Sequence, residues 1–331
     1  MTAFLSVLKV TAAVISALLT NSRRHLAGMK SLLGVVSPSS IDPQNPLVTS
    51  LERRASFWNF ARADYQSAYV NNTPTLLDTE DYQMWQSCGL QVSPTGSLYA
   101  DPSGLKSDPS HRNSTVELVS HTLLWILLRT MNYLALPPST DALARQTLWD
   151  TLTAHLDTWH AHLPLAFQPS ASLRHPISRR SSTTTTPASH PPSAANINGG
   201  ITELFFPIPL SAATIQLYHF ARILLLLSKP PSSNAQTSSR LQAYREVSAA
   251  ALTHAHAILG IALGRPHPAV RVEMLLPLYA AGGCLEADEE RRAVVEVLRA
   301  IEMDTGCATG GRVRDLEREW GWESSLVAVG A

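Results

Sequence analysis

Apolar residues recur every three or four positions through most of this chain, the spacing that places them on one face of an α-helix. The clearest run covers 47–71, where Leu51, Ala55, Trp58, Arg62, Tyr65 and Tyr69 follow one another at close to the helical period. Asn71-Asn72-Thr73-Pro74 then ends it, as polar turn formers ahead of a proline do. The same reading predicts helices over 3–20, 23–34, 79–87, 114–135, 141–162, 210–228, 241–263, 268–282, 287–305 and 312–320. In the helix from 114, Val116, Val119, Leu123, Trp125, Ile126 and Met131 leave few polar sides, so it is expected at the centre of the fold. Ser114 and Glu117 have the spacing of a capping box at its start. In 141–162 the stripe reads Leu143, Leu148, Leu152, Leu156 and Trp159, continuing to Leu163. No alternating pattern of strand type is present, so the expected fold class is all-α, a single large multi-helix domain over 1–331.

Three stretches break the periodicity. Residues 91–113 are rich in Ser, Pro, Gly and Asp and read as an exposed loop. Residues 168–200 are dominated by Ser, Thr and Pro, too polar to offset the entropy of ordering, and are expected to form a disordered insertion. Residues 229–240 are expected to be a second disordered linker. Arg179-Arg180-Ser181-Ser182 has the form of a basophilic phosphorylation site, although an ordinary solvated linker has the same composition.

The opening stretch from Thr2 to Thr20 fits either a buried helix or a secretory leader. Lys9 inside the apolar part, with no charge ahead of it, favours the helix. No uninterrupted apolar run reaches the ~18 residues of a membrane span, so no membrane association is expected.

Charge narrows the partners. Of 331 residues, 45% are hydrophobic and only 16% charged, with 26 basic residues against 26 acidic ones. Holding nucleic acid rests on neutralising phosphates with an excess of Lys and Arg. A balanced chain therefore argues against autonomous DNA binding. Cys88, Cys284 and Cys307 are far apart and odd in number, neither a disulfide framework nor a metal knuckle. Their scarcity fits a reducing compartment.

The motif inventory assigns no catalytic, cofactor-binding or metal-binding residue. Twelve histidines occur, but His155, His160 and His162 are five and two residues apart and do not share a helical face. His254 and His256 likewise point apart, so surface or core roles are expected for all of them. Nucleophile elbows, Walker loops and dinucleotide fingerprints are missing from the sequence. Gly282-Gly283 and Gly310-Gly311 follow apolar helices and read as C-caps or turns. The acids between Glu286 and Glu290 suit a helix N-terminus.

Several segments, in order, resemble one family. Ser22 to Leu33, SRRHLAGMKSLL, is similar to a His-Leu-x-Gly-Ala-x-x-Leu-Leu helix. Phe57 to Leu77 matches a Trp-x-x-x-Arg-x-Asp-x-x-x-Ala-x-x-Asn-x-x-Pro helix and turn through Trp58, Arg62, Asp64, Ala68, Asn71 and Pro74. Leu156 to Pro169 is similar to a Trp-x-x-x-Leu-Pro-x-x-Phe-x-Pro helix end, and Ile215 to Leu226 to a Gln-x-Tyr-His-x-Ala-Arg-x-Leu-Leu helix. Gly260 to Leu263, Pro277 to Gly282 and Ile301 to Gly306 complete the series. Together they resemble the fungal-specific transcription factor domain, the regulatory or middle homology region that follows the binuclear zinc cluster of many fungal regulators. The resemblance runs over about 22–322 and implies a nuclear, non-enzymatic regulator of transcription, controlling a pathway such as secondary metabolism. It implies action through a protein partner, such as another transcription factor, or through a small-molecule effector, with DNA reached only indirectly and no cofactor. Two departures stand out. Three scattered cysteines cannot supply the six thiolates of the zinc cluster, and Cys307 stands where the family favours tryptophan. Arg62, Asp64 and Arg222 are polar residues in apolar helices and are expected to be structural, each with an ion-pair or hydrogen-bond partner, the competing reading being effector recognition. The alternative function is a helical enzyme or binding protein of a biosynthetic pathway.

Overall fold

In the computed structural model, residues 26–28, 51–93, 109–176, 200–231 and 237–322 are described. They form α1 (Leu51–Asn71), α2 (Tyr82–Ser87), α3 (Pro109–Leu134) and α4 (Ala142–Ala161), followed by a 3-10 turn at Leu165–Phe167. Two strands come next, β1 (Ala171–Pro176) and β2 (Gly200–Phe205). The rest is α5 (Pro209–Leu227), α6 (Thr237–Leu263), α7 (Pro268–Arg271), a 3-10 turn at Val272–Met274, α8 (Leu275–Gly282), α9 (Asp288–Thr305) and α10 (Gly310–Glu319). The class is all-α, with one two-stranded antiparallel sheet attached. The opening helix expected over 3–20 lies outside the described residues, and of 23–34 only 26–28 is described, as helix.

The core is built around α5, which packs against α3, α4, α6 and α8. Thirteen of its residues are buried, including polar Ser211, Thr214 and Gln216. Gln216 Nε2 donates to the Ile258 carbonyl of α6 at 3.0 Å, while its Oε1 is buried without a hydrogen-bond partner among the described residues. α3 is central as its composition requires, with Leu123, Trp125, Ile126, Leu127 and Leu128 fully buried. α5 and residues 240–263 of α6 are long and apolar enough to cross a membrane by length and composition alone, which the sequence reading of single apolar runs did not register. Most of α5 is buried against protein, as the core helix of a globular fold also is.

Three local expectations need correction. α3 begins at Pro109, not at a Ser114 cap, and a proline fits the first helical turn because its missing N–H has no partner there anyway. Leu143 is 74% exposed, off the buried stripe formed by Leu152, Leu156 and Trp159. It precedes Leu152 by nine residues, about two and a half turns, which puts it on the opposite side of α4. Gly310 and Gly311 open α10 and do not end a helix. A left-handed glycine cap is instead found at Gly306, φ 72°, closing α9. The acids did fall as expected, with Asp288, Glu289 and Glu290 in the first turn of α9.

The expected insertion over 168–200 begins with ordered structure. β1 and β2 pair from Ala171↔Phe205 to Pro176↔Gly200, while 177–199 lie outside the described residues, together with the Arg179–Ser182 motif. The linker expected over 229–240 is shortened at its end, because α6 starts at Thr237. β2 lies on α6 at two glycines. A Cβ at Gly260 would sit 2.2 Å from the Thr202 carbonyl oxygen, and one at Gly264 would sit 2.0 Å from that of Leu204. Only glycine permits that approach of strand backbone to helix.

Candidate functional site

The strongest sequence motif, from Trp58 to Pro74, places its residues at the junction of α1 with four later elements. Trp58 stacks on His121 of α3, rings 3.8 Å apart and parallel within 3°. Its indole N–H donates to the Cys88 carbonyl at 3.3 Å. Burial and the nearby Arg62 and Arg54 charges push His121 down to about 3, so the stacked imidazole is neutral. Arg62 forms a salt bridge with Glu273 in the 3-10 turn before α8. Asp64 is buried. Its two oxygens accept from the backbone N–H groups of Leu76 at 2.9 Å and Leu77 at 2.8 Å. An anionic acceptor on two amides is a charge-assisted arrangement, stronger than a neutral one.

Asp64 belongs to a set of side chains that fix the segment 72–81. Asn72 takes a left-handed φ of 50°, and Thr73 N donates back to the Ala68 carbonyl at 3.0 Å, closing α1. Asn71 Nδ2 donates to Ser67 O at 2.8 Å. From α3, Asn132 Oδ1 accepts from Thr75 N at 2.8 Å and Asn132 Nδ2 donates to Thr79 Oγ1 at 3.1 Å. The indoles of Trp125 and Trp85 donate to the carbonyls of Thr79 and Asp78. A loop whose backbone polar groups are met by buried side chains of three helices is a rigid junction. The motif thus encodes a helix, its stop and the loop beyond it as one unit.

A polar seam runs along the same helix. Tyr65 and Tyr69, one turn apart on α1, each bury a hydroxyl, and that of Tyr69 has no hydrogen-bond partner among the described residues. Glu273 Oε2 and Arg312 Nε are buried without a partner as well. Glu273 lies near Tyr65, whose phenol is pushed up first by burial and then by that carboxylate. Tyr69 is flanked by Tyr279 and Cys284 of the α8 region and by Arg312 and Glu319 of α10.

The histidines serve different elements. His219 of α5 and His254 of α6 approach Nδ1 to Nδ1 at 2.8 Å, so one neutral ring donates and the other accepts. Burial, then the neighbouring His254, His160 and Arg222, push His219 down to about 3. Burial and then Arg222 and His160 push His254 down to about 4. His160 stacks on Tyr218 at 4.7 Å. Arg222 reaches across to Asp157 of α4 at 2.6 Å. His256 pairs with Glu290 at 2.9 Å and His155 meets Arg129 at 3.3 Å. His162 Nδ1 is 2.8 Å from the Thr158 carbonyl at the end of α4. Among the described residues, no group of three or more His, Cys, Asp or Glu side chains is arranged to hold a metal ion.

Arg62, Asp64 and Arg222 therefore do have the partners that their burial demanded. Which partners they take was not legible. Glu273 is 211 residues from Arg62 and Asp157 is 65 from Arg222, and neither stands in a local pattern. The His219–His254 pair was missed for the same reason, since its two members lie 35 residues apart on different helices.

Comparison with known proteins adds one relative. The chain is 31% identical over 315 residues, 90% of its own length, to the transcription activator AMTR1 of Alternaria alternata. The match spans 39% of that protein, so this chain corresponds to well under half of the relative. No family model matches the chain, and no solved structure matches it. The chain is thus similar, over nearly all its length, to part of a fungal transcription activator.

Proposed function

We propose that this chain is a helical regulatory domain that controls transcription in the nucleus of a fungus. It acts through a protein partner, another transcription factor being the simplest, or through a small effector, and reaches DNA through that partner. The reading is carried by the similarity to a transcription activator along 90% of this chain. The balanced charge of 26 basic against 26 acidic residues supports indirect contact with DNA, because a phosphate-binding surface needs basic excess. The fixed 72–81 junction supports it too. A body held rigid by buried polar contacts is suited to presenting a constant surface to a partner.

The test is a tethering assay. The chain is fused to an unrelated DNA-binding module in a fungal host, with a reporter behind that module's site and a fluorescent tag on the chain. Nuclear accumulation with a reporter change of several-fold in either direction is the expected result. A chain that stays out of the nucleus and leaves the reporter at its baseline refutes the regulatory reading.

A further inference from the structure

The two outer edges of the β-ribbon are met differently. The outer edge of β2 faces α6. The carbonyl oxygens of Thr202 and Leu204 are the atoms that a Cβ at Gly260 or Gly264 would strike, so they point at the helix. The carbonyl of Phe205 points the other way and accepts from Ser170 N at 2.8 Å. Backbone groups alternate sides along an antiparallel strand, so 201, 203 and 205 of β2 bond inward to 175, 173 and 171 of β1. The N–H and C=O groups of Ser172 and Arg174 are left on the outer edge of β1, turned away from α6. No described strand pairs with that edge, and residues 171–174 are all exposed. Leu173, at its middle, is 51% exposed. Such an edge is a template for a further strand.

We infer that the outer edge of β1 pairs antiparallel with the same edge of a second copy of this chain, about a twofold axis at Leu173. In that register Ser172 and the second copy's Arg174 exchange two backbone hydrogen bonds, and the symmetry repeats them. Leu173 faces Leu173 in a non-hydrogen-bonded pair, where the side chains of two strands come closest. The arginines face serines, so neither cation opposes the other directly. The neighbouring registers are worse. Shifted one way, Arg174 faces Arg174 and Ser172 faces Pro176, which has no N–H to give. Shifted the other way, Arg174 faces Ser170, whose N–H is already held by Phe205, and Leu173 faces only Ala171. The charge and the proline of this edge thus leave one favourable way for it to pair with itself. The interface is small, so the dimer is weak and reversible. The inference concerns the chain alone and does not rest on the regulatory reading.

The experiment follows the full chain by sedimentation equilibrium from micromolar concentration to the solubility limit, with amide hydrogen exchange at both extremes. A monomer–dimer equilibrium is expected, and the Ser172 and Arg174 amides should gain protection as concentration rises. S172P removes an N–H that points outward, so it spares the ribbon and should weaken the dimer roughly tenfold or more. L173R sets like charges face to face and should abolish it. S172E puts a carboxylate opposite the second copy's Arg174 on both sides of the axis and should tighten the dimer at low salt. Circular dichroism checks that each variant keeps its fold; if S172P disturbs the ribbon, the opposite effects of L173R and S172E decide. A monomer at every concentration overturns the pairing and leaves the edge to a strand of another protein. A dimer indifferent to L173R and S172E overturns it too, because the copies then meet elsewhere.

Discussion

Arg62 of α1 and Glu273, next to α8, form a salt bridge across 211 residues of sequence, and both side chains are about four-fifths buried. Removing one member leaves a half-desolvated charge facing an apolar core, which costs more than the pair itself contributes. R62A is therefore expected to destabilise the fold by about 2–4 kcal/mol. The double variant R62M/E273L should recover much of that, because two apolar groups leave no orphan charge. Urea unfolding of the two variants beside the parent checks the ordering, and a double variant as weak as R62A would contradict it.

Asp64 is the anchor of the 72–81 junction. Replacing it with alanine leaves the Leu76 and Leu77 amides without their acceptors, at roughly 2–4 kcal/mol for two buried donors. Asn keeps one acceptor oxygen, so D64N should fall between parent and D64A. Amide hydrogen exchange at Leu76 and Leu77 should accelerate in the same order. Unchanged protection in D64A would show that these amides are held by something else.

The backbone of the β-ribbon rests on α6 at its two glycines, while Ile201 and Leu204 of β2 pack against the core. G264A places a methyl carbon 2.0 Å from a strand carbonyl, and G260A one 2.2 Å from another. Backbone must move in both cases, costing about 1–3 kcal/mol as overpacking does. Strand residues 201–205 should lose exchange protection first, while the α3–α5 core keeps its own. Equal loosening of core and ribbon would show that the ribbon is not a separable layer.

Neutral histidines make stability depend on pH. His121 and His219 are held down to about 3, and His155 and His254 to about 4, mainly by burial. The unfolded chain takes up protons on these rings from about pH 6.5 downward, whereas the folded chain does not. More protons bind to the unfolded state, so stability falls as pH drops from 6.5 toward 4, by at most about 1.4 kcal/mol per pH unit for each ring. Urea midpoints at pH 7, 6, 5 and 4 should trace the decline. H254N removes one titrating partner of the pair and should flatten the slope. A stability that holds level down to pH 4 would mean that these rings titrate normally in the fold.

The helices of this chain were legible because helix formation is local. Periodic apolar residues, prolines after turns and acids at N-termini act within a few residues of one another, and nearly every described helix lies within a few residues of its expected span. The all-α class follows from that periodicity, and the burial of α3 from its near-complete apolar circumference. Burial of Arg62, Asp64 and Arg222 required partners, and that requirement is also written in the sequence. The identity of the partners is a property of the assembled fold. Which carboxylate meets Arg62, which helix brings His254 to His219, and which strand rests on Gly260 and Gly264 depend on elements that only packing brings together. β1 and β2 carry little strand signal of their own. Their backbone packs closely on α6 because two glycines there, more than fifty residues further along the chain, leave room for strand carbonyls.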